Sequence, residues 1–182
     1  MIELPHDCPP WVTPFIVRTQ RLVLAPCCAA GAQQLARIMQ APQVHEPFFV
    51  GRPQLAQLQA EPGQWQQHEG GWQARREFNL VARLADGGEV VGCVQFFPQL
   101  IAYFVAPHFW QQGYGSEMVA ASCVDVPRLL GIRTLESGVI RENIGSRRIL
   151  EKSGFRFSGL DMRPWQGRSG KVAMLWYRRQ FA

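Results

Sequence analysis

No apolar run in this 182-residue sequence approaches the roughly 20 residues that cross a bilayer as a helix, so no segment reads as a membrane span. Residues 1–10 are acidic and proline-rich, without the basic start or apolar centre of a secretory signal, and a cytoplasmic protein is expected. Cysteine is scarce: Cys8, Cys27, Cys28, Cys93 and Cys123 form no C-x-x-C pair and keep no metal spacing with a histidine. Their odd number and scatter argue against a disulfide framework and a zinc site, and no metal is expected. All but Cys8 read as small buried apolar residues, and nothing local supports a cysteine nucleophile. Lysine is nearly missing: of 19 basic residues all but Lys152 and Lys171 are arginine, for a net charge of +5. The arginines are scattered, with no basic run and no RNA-binding aromatic signature, so nucleic acid is not expected as a partner. Internal repeats and any second domain are absent too. With 47% hydrophobic and 18% charged residues, the chain belongs with globular proteins and is long enough for a real core in one domain.

Periodicity and punctuation divide the chain into alternating strands and helices. Residues 15–24 read as a first strand, and residues 29–40 carry Leu35, Ile38 and Met39 at helical spacing until Ala41-Pro42 ends the helix. From 43 to 76 the pattern is weaker: Pro53 could open a helix to Ala60, Pro62-Gly63 breaks it, and residues 65–75 read as a further helical segment. Residues 77–84 and 89–97 alternate as an antiparallel pair turned at Asp86-Gly87-Gly88, and Pro98-Gln99 leads into a strand over 100–105. A helix is expected from Ser116 toward Asp125, broken or kinked at Pro127. A strand over 134–140, a helix over 144–153 stopped by Gly154, and a hairpin of 156–162 with 171–178 complete an α/β chain with a mixed sheet.

The most informative stretch is Val105-Ala106-Pro107-His108-Phe109-Trp110-Gln111-Gln112-Gly113-Tyr114-Gly115-Ser116-Glu117. An apolar strand ends at a proline, two glycines follow one residue apart, and a helix starts. Such a turn presents unpaired N–H groups at the positive end of a helix dipole, which suits a pyrophosphate.

Within it, Trp110-Gln111-Gln112-Gly113-Tyr114-Gly115 resembles the acetyl-coenzyme A loop of the GNAT superfamily of N-acetyltransferases. In that family an Arg, Gln or Trp stands three residues before the first glycine, and a Gly or Ala two after it. Asn143-Ile144-Gly145-Ser146, followed by Leu150-Glu151-Lys152-Ser153-Gly154-Phe155, looks like the signature of the Rim-type branch, whose best-known members acetylate protein N-termini. Thr19-Gln20-Arg21-Leu22-Val23-Leu24-Ala25-Pro26 resembles that branch's first strand. The resemblance implies a single-domain twisted mixed sheet flanked by helices, its fourth and fifth strands splayed into a V, with acetyl-CoA as cosubstrate. It also implies roles. Main-chain groups of Tyr103, Phe104 and Val105 would hold the pantetheine arm, and Gln111, Gln112, Gly113, Tyr114, Gly115 and Ser116 the pyrophosphate. Asn143 would bond the pantetheine amides, although Asn is also a favoured helix N-cap. Ser146 would protonate the coenzyme A thiolate; a Tyr or a water could serve instead. Arg147, Arg148 and Lys152, about one turn apart, could approach the phosphates, with Arg148 the chosen candidate.

The general base departs from the family pattern. Many relatives have a glutamate where this chain has Leu100, and Ala102 replaces a common glycine. Glu136, in the fifth strand, could take the proton through water; His108 has a suitable intrinsic pKa; an acceptor arriving as neutral amine would need no base. The acceptor itself stays open among a protein N-terminal amine, an amino acid, a polyamine and an antibiotic amine. Its expected walls are residues 43–76, with Trp65 and Trp72, and the final hairpin with Trp165, although such aromatics more often serve as core. A homodimer is compatible with this reading. The rival reading is a non-catalytic acyl-CoA-binding or sensing module, which the missing glutamate favours.

Overall fold

The computed structural model describes residues 15–47, 77–86, 88–165 and 170–181. The expectations for residues 1–10 with Cys8, and for the helices of 53–60 and 65–75 with Trp65 and Trp72, lie outside the described residues.

Two antiparallel sheets carry the fold. The first has the order β1-β2-β3-β4-β5, from β1 (Val17–Arg18), β2 (Leu22–Pro26), β3 (Phe78–Leu84), β4 (Val90–Phe96) and β5 (Ile101–Val105). The second has the order β6-β8-β7, from β6 (Thr134–Ile140), β7 (Arg156–Pro164) and β8 (Lys171–Gln180). β5 and β6 run side by side in parallel but meet at one point only. There Leu100 bridges Glu136, and the Glu136 amide donates to the Gln99 carbonyl at 2.8 Å. No further ladder joins them among the described residues, so the two sheets part beyond that point and leave a cleft along β5. This parallel junction makes the sheet mixed and forms the expected V.

The helices cover both faces. β3 and β4 are buried along nearly their whole length, as strands sandwiched between two layers should be. On one side α1 (Ala29–Ile38) and the short α2 (Pro42–His45) pack Ala32, Leu35, Met39 and Val44 against Val81, Val90, Cys93 and Phe104. On the other side α3 (Tyr114–Leu129) inserts Met118, Val119, Cys123 and Val126 among Leu80, Val94, Val105, Leu135 and Tyr177. α4 (Ile144–Lys152) adds Leu150 to the same core. Both sheets feed this one core on either side of the opening between β5 and β6. The four described cysteines (Cys27, Cys28, Cys93 and Cys123) are buried.

The structure corrects the sequence reading at two places. Residues 15–24 are not one strand: β1 and β2 form a tight hairpin in which Val17 pairs with Leu24 and Arg18 with Val23. The Thr19 hydroxyl turns the chain by accepting from the amides of Leu22 at 2.9 Å and Arg21 at 3.3 Å. A side chain that bonds its own backbone competes with an extended strand, and alternation alone does not reveal it. The second correction concerns Pro127, which does not end α3. It stands in the last turn, where only its own missing amide bond is lost, and the Leu130 amide still reaches the Val126 carbonyl at 3.0 Å.

Candidate active site

The cleft begins with the main chain of β5. In an antiparallel ladder successive residues turn their amides and carbonyls alternately toward and away from the partner strand. Leu100 and Ala106 bond back toward β4, through the Phe97 amide and the Val91 carbonyl, and the Phe104 carbonyl faces Gly92. Tyr103 and Val105 are therefore the residues whose backbone turns to the open edge, while Phe104 contributes a buried ring to the α1 side. The Val105 carbonyl accepts from the Trp110 indole N–H at 2.7 Å. Its amide and both main-chain groups of Tyr103 remain directed at the cleft. At Gly92 the approach of β5 is so close that a β-carbon would sit 2.1 Å from the Phe104 carbonyl oxygen. Only glycine fits there.

Past β5, a single 3-10 turn (Pro107–Phe109) leads into the glycine loop. Gln111 takes a left-handed φ of 61° and Gly113 one of 84°, separated by a residue of ordinary sign. Backbone that alternates hand in this way turns successive N–H groups to one side, and α3 starts directly after it with its own unpaired amides. The loop can cradle an anion. Gln111 and Gln112 are exposed, Ser116 is half-buried in the first turn of α3, and Gly115 is buried beneath it. The Gln112 side chain is turned back, its Nε2 donating to the His108 carbonyl at 2.7 Å.

Arg21, from the β1–β2 hairpin, braces this loop. Its guanidinium donates to the Gln112 carbonyl at 3.0 Å, pairs with Glu117 at 2.7 Å through Nε, and lies 4.3 Å from the centre of the Tyr114 ring. Glu117 also accepts from the Thr19 hydroxyl at 2.5 Å. Partial burial works to raise the Glu117 pKa, but the hydrogen bonds from Thr19 and Arg21 and the arginine charge outweigh it and hold the carboxyl below its usual range. The sequence match over residues 19–26 brought Arg21 to notice without giving it a task; its contacts are with residues about ninety positions away, which no local pattern encodes.

α4 forms the other wall. The Asn143 side-chain oxygen accepts from the Ser146 amide at 3.0 Å, so Asn143 is the N-cap of this helix, and its NH2 end is the part that can donate to a ligand. The Ser146 hydroxyl lies 2.7 Å from the Tyr103 hydroxyl, which also donates to the Ser146 carbonyl at 2.9 Å. Burial pushes the Tyr103 phenol well above its ordinary pKa, although the hydrogen bond with Ser146 works the other way. The helix cations divide. Arg147 turns inward, donating to the Tyr177 hydroxyl and the Arg141 carbonyl at 3.3 Å each, while Arg148 and Lys152 are exposed.

The base candidates lie far apart. Glu136 stands at the closed end of the cleft, where Arg178 donates to its Oε1 at 2.7 Å through Nε and 2.5 Å through Nη2. Leu100 stands opposite it, and Ala102, two residues further on in β5, is half-buried. His108 is exposed beyond the other end of β5, bonded to Glu89 at 2.9 Å. Trp165 is buried with Ile140 and Met174 and donates to the Glu46 carbonyl at 3.0 Å, tying the last hairpin to the end of α2. No group of three or more His, Cys, Asp or Glu among the described residues is arranged to hold a metal ion, and no helix there is long and apolar enough to cross a membrane.

The acetyltransferase (GNAT) domain family matches residues 21–156, which include the hairpin arginine, the parted strands, the glycine loop and α4. The chain belongs to the GNAT acetyltransferase family. As such it is an acetyltransferase whose acetyl donor is acetyl-CoA. Solved structures repeat the fold at low identity. A GNAT-family acetyltransferase from Bacillus anthracis superposes with a TM-score of 0.74 at 16% identity, covering 91% of this chain and 98% of that one. Ribosomal-protein-S5-alanine acetyltransferase from Vibrio fischeri gives 0.73 at 11% identity, over 91% and 96%. Mycobacterium smegmatis RimJ, in complex with a coenzyme A disulfide, gives 0.72 at 22%, over 87% and 81%. No protein of curated function matches the sequence of this GNAT domain.

Proposed function

We propose that this GNAT domain acetylates a primary amine by direct attack on the thioester of acetyl-CoA, with the reaction running in the cleft between β5 and β6. The carrying observation is the convergence on that cleft of the open backbone edge of β5, the glycine loop at its far end, and Asn143 and Ser146 along its side. Acetyl transfer needs a held thioester, a polarised carbonyl, a neutral amine and a proton for the departing thiolate. In this reading the Tyr103 and Val105 backbone positions the pantetheine arm, and the Gln111–Ser116 loop with Arg148 takes the phosphates. Asn143 holds a pantetheine amide and Ser146 protonates the sulfur. Glu136 accepts the amine proton through water at Oε2, the oxygen that Arg178 leaves open, and His108 is too near the phosphate end for that task.

The acceptor we propose is the N-terminal amine of a protein. Ribosomal-protein acetyltransferases among the structures of the same fold support this choice. Release of coenzyme A should be faster with peptides bearing a free N-terminus than with the same peptides N-terminally blocked and carrying a free lysine. Equal rates with both, or turnover only of small amines, would point to a small-molecule acceptor. The second reading, a non-catalytic acyl-CoA-binding or sensing module, rests on Leu100, an exposed aliphatic side chain where the family resemblance leads one to expect glutamate in many members. It predicts binding of acetyl-CoA without turnover.

A further inference from the structure

We infer that Tyr103 is a positioning residue for acetyl transfer: its hydroxyl sets the direction of the Ser146 hydroxyl and turns that proton toward the leaving sulfur. The inference rests on the reading of Ser146 as the proton donor to the thiolate.

Counting protons at the contact leads to it. Tyr103 has one O–H and lies 2.9 Å from the Ser146 carbonyl oxygen and 2.7 Å from the Ser146 hydroxyl oxygen. A carbonyl oxygen only accepts, whereas each hydroxyl can donate once and accept. Two arrangements follow. In one, Tyr103 donates to the carbonyl and the Ser146 proton is used on Tyr103. In the other, Tyr103 donates to the Ser146 oxygen, and the Ser146 proton is released to face the cleft. The second costs little, because a carbonyl one turn inside α4 has the helix's own amide as partner. A thiolate forming in the cleft favours it, since the negative sulfur attracts the Ser146 proton while Tyr103 stabilises the charge growing on the serine oxygen.

The reaction balances without a proton leaving Tyr103. The amine nitrogen bonds to the acetyl carbon and the carbon–sulfur bond breaks. The sulfur takes the proton of Ser146, and the one proton that the nitrogen loses, taken up by Glu136 through water, returns to Ser146 by way of solvent. Tyr103 remains a neutral donor throughout, consistent with the burial that disfavours its phenolate. A serine hydroxyl is by itself a poor acid, and a fixed donor at 2.7 Å makes it a better one. Neither residue type shows this in sequence, because Tyr103 and Ser146 lie on different elements and are 43 positions apart.

The test combines kinetics with a spectroscopic reading. Tyr103→Phe should lower kcat about tenfold, the loss of roughly one hydrogen bond in the transition state, with the acetyl-CoA Kd nearly unchanged. Added to Ser146→Ala, the same change should cost nothing more, because the proton it directs is already gone. Losses that multiply, or an unchanged kcat with chemistry rate-limiting, would overturn the inference. The unsubstituted protein supplies a second measurement that needs no stable variant. The Tyr103 hydroxyl proton, slowed in exchange by burial, should shift in the NMR spectrum when coenzyme A binds and hold its position when desulfo-coenzyme A binds. Equal shifts with both would refute the proton switch. This reading is separable from the proposed function: a protein that turns over no amine contradicts the latter, while the resonance still reports on Tyr103.

Discussion

Replacing Arg21 by methionine keeps most of the side-chain stem and removes the guanidinium that ties three parts of the phosphate loop together. The lost contacts are the bond to the Gln112 carbonyl at 3.0 Å, the pair with Glu117, and the stacking 4.3 Å above Tyr114. Arg21 is 42% exposed, so each term is small: an exposed ion pair contributes about 0.2–1 kcal/mol and an exposed cation–π contact about 0.5–1 kcal/mol. With the hydrogen bond, and allowing for overlap among terms that share one group, roughly 1–2 kcal/mol is expected. For a domain of this length that lowers Tm by about 2–8 °C. Part of the loss returns as weaker ligand binding, because acetyl-CoA must then order a loop that Arg21 held in place. Kd should rise about fivefold to tenfold by isothermal calorimetry, with kcat at saturation little changed. A pH signature accompanies it. Glu117 has a pKa below its unfolded value, so its contribution to stability is complete above the unfolded pKa and is lost as pH falls through the folded one. The gap in stability between parent and Arg21→Met should therefore be widest near neutral pH and close in acid. A variant with the parent's Kd, or with a gap that persists when Glu117 is protonated, would refute the account of Arg21.

Other expectations follow from the same geometry. Gly113→Asp should abolish the rise in Tm that acetyl-CoA produces, since the position needs a φ of 84° and the new carboxylate would face the pyrophosphate; an unchanged shift, read by differential scanning fluorimetry, would remove the loop from the site. Gly92→Ala should displace β5 through the Phe104 carbonyl, costing at least 1–3 kcal/mol as a rough figure and raising the KM for acetyl-CoA; chemical denaturation and initial rates check both. Glu136→Gln should depress kcat/KM most near neutral pH and least at high pH, where more acceptor arrives as neutral amine, while His108→Ala should leave the profile unchanged. A Glu136→Gln enzyme with the parent's profile would reject Glu136 as the base.

Much of this fold could be read in the sequence because its signals are local. β3 and β4 are dense in valine and leucine, with the Gly88 amide closing onto the Leu84 carbonyl between them, and α4 is stopped by Gly154, whose φ of 81° is the left-handed cap expected there. The glycine loop and Asn143 cap were equally local. What the sequence did not reveal depends on contacts distant in the chain. The break between β1 and β2 comes from the Thr19 hydroxyl, which serves the turn and Glu117 of α3 together. Arg147 resembles its neighbour Arg148 in sequence, yet one faces Tyr177 and the other faces solvent, because helical phase against β8 decides which is which. Counting along the helix could have found that difference only with β8 already in place. Trp165 was expected at the acceptor wall although aromatics of this kind more often serve as core, and it packs in core with Ile140 and Met174.

The measurement that bears most directly on the account is turnover and binding in one sample. Purified protein is mixed with acetyl-CoA and a panel of peptides and small amines, and coenzyme A thiol is followed alongside acetylated product by mass spectrometry. The account predicts at least one primary amine acetylated in equal amount to the thiol released, with both lost together in Gly113→Asp and slowed in Ser146→Ala. Acetyl-CoA that binds and raises Tm, yet is consumed with no amine in the panel, would contradict catalysis and favour the acyl-CoA-binding module.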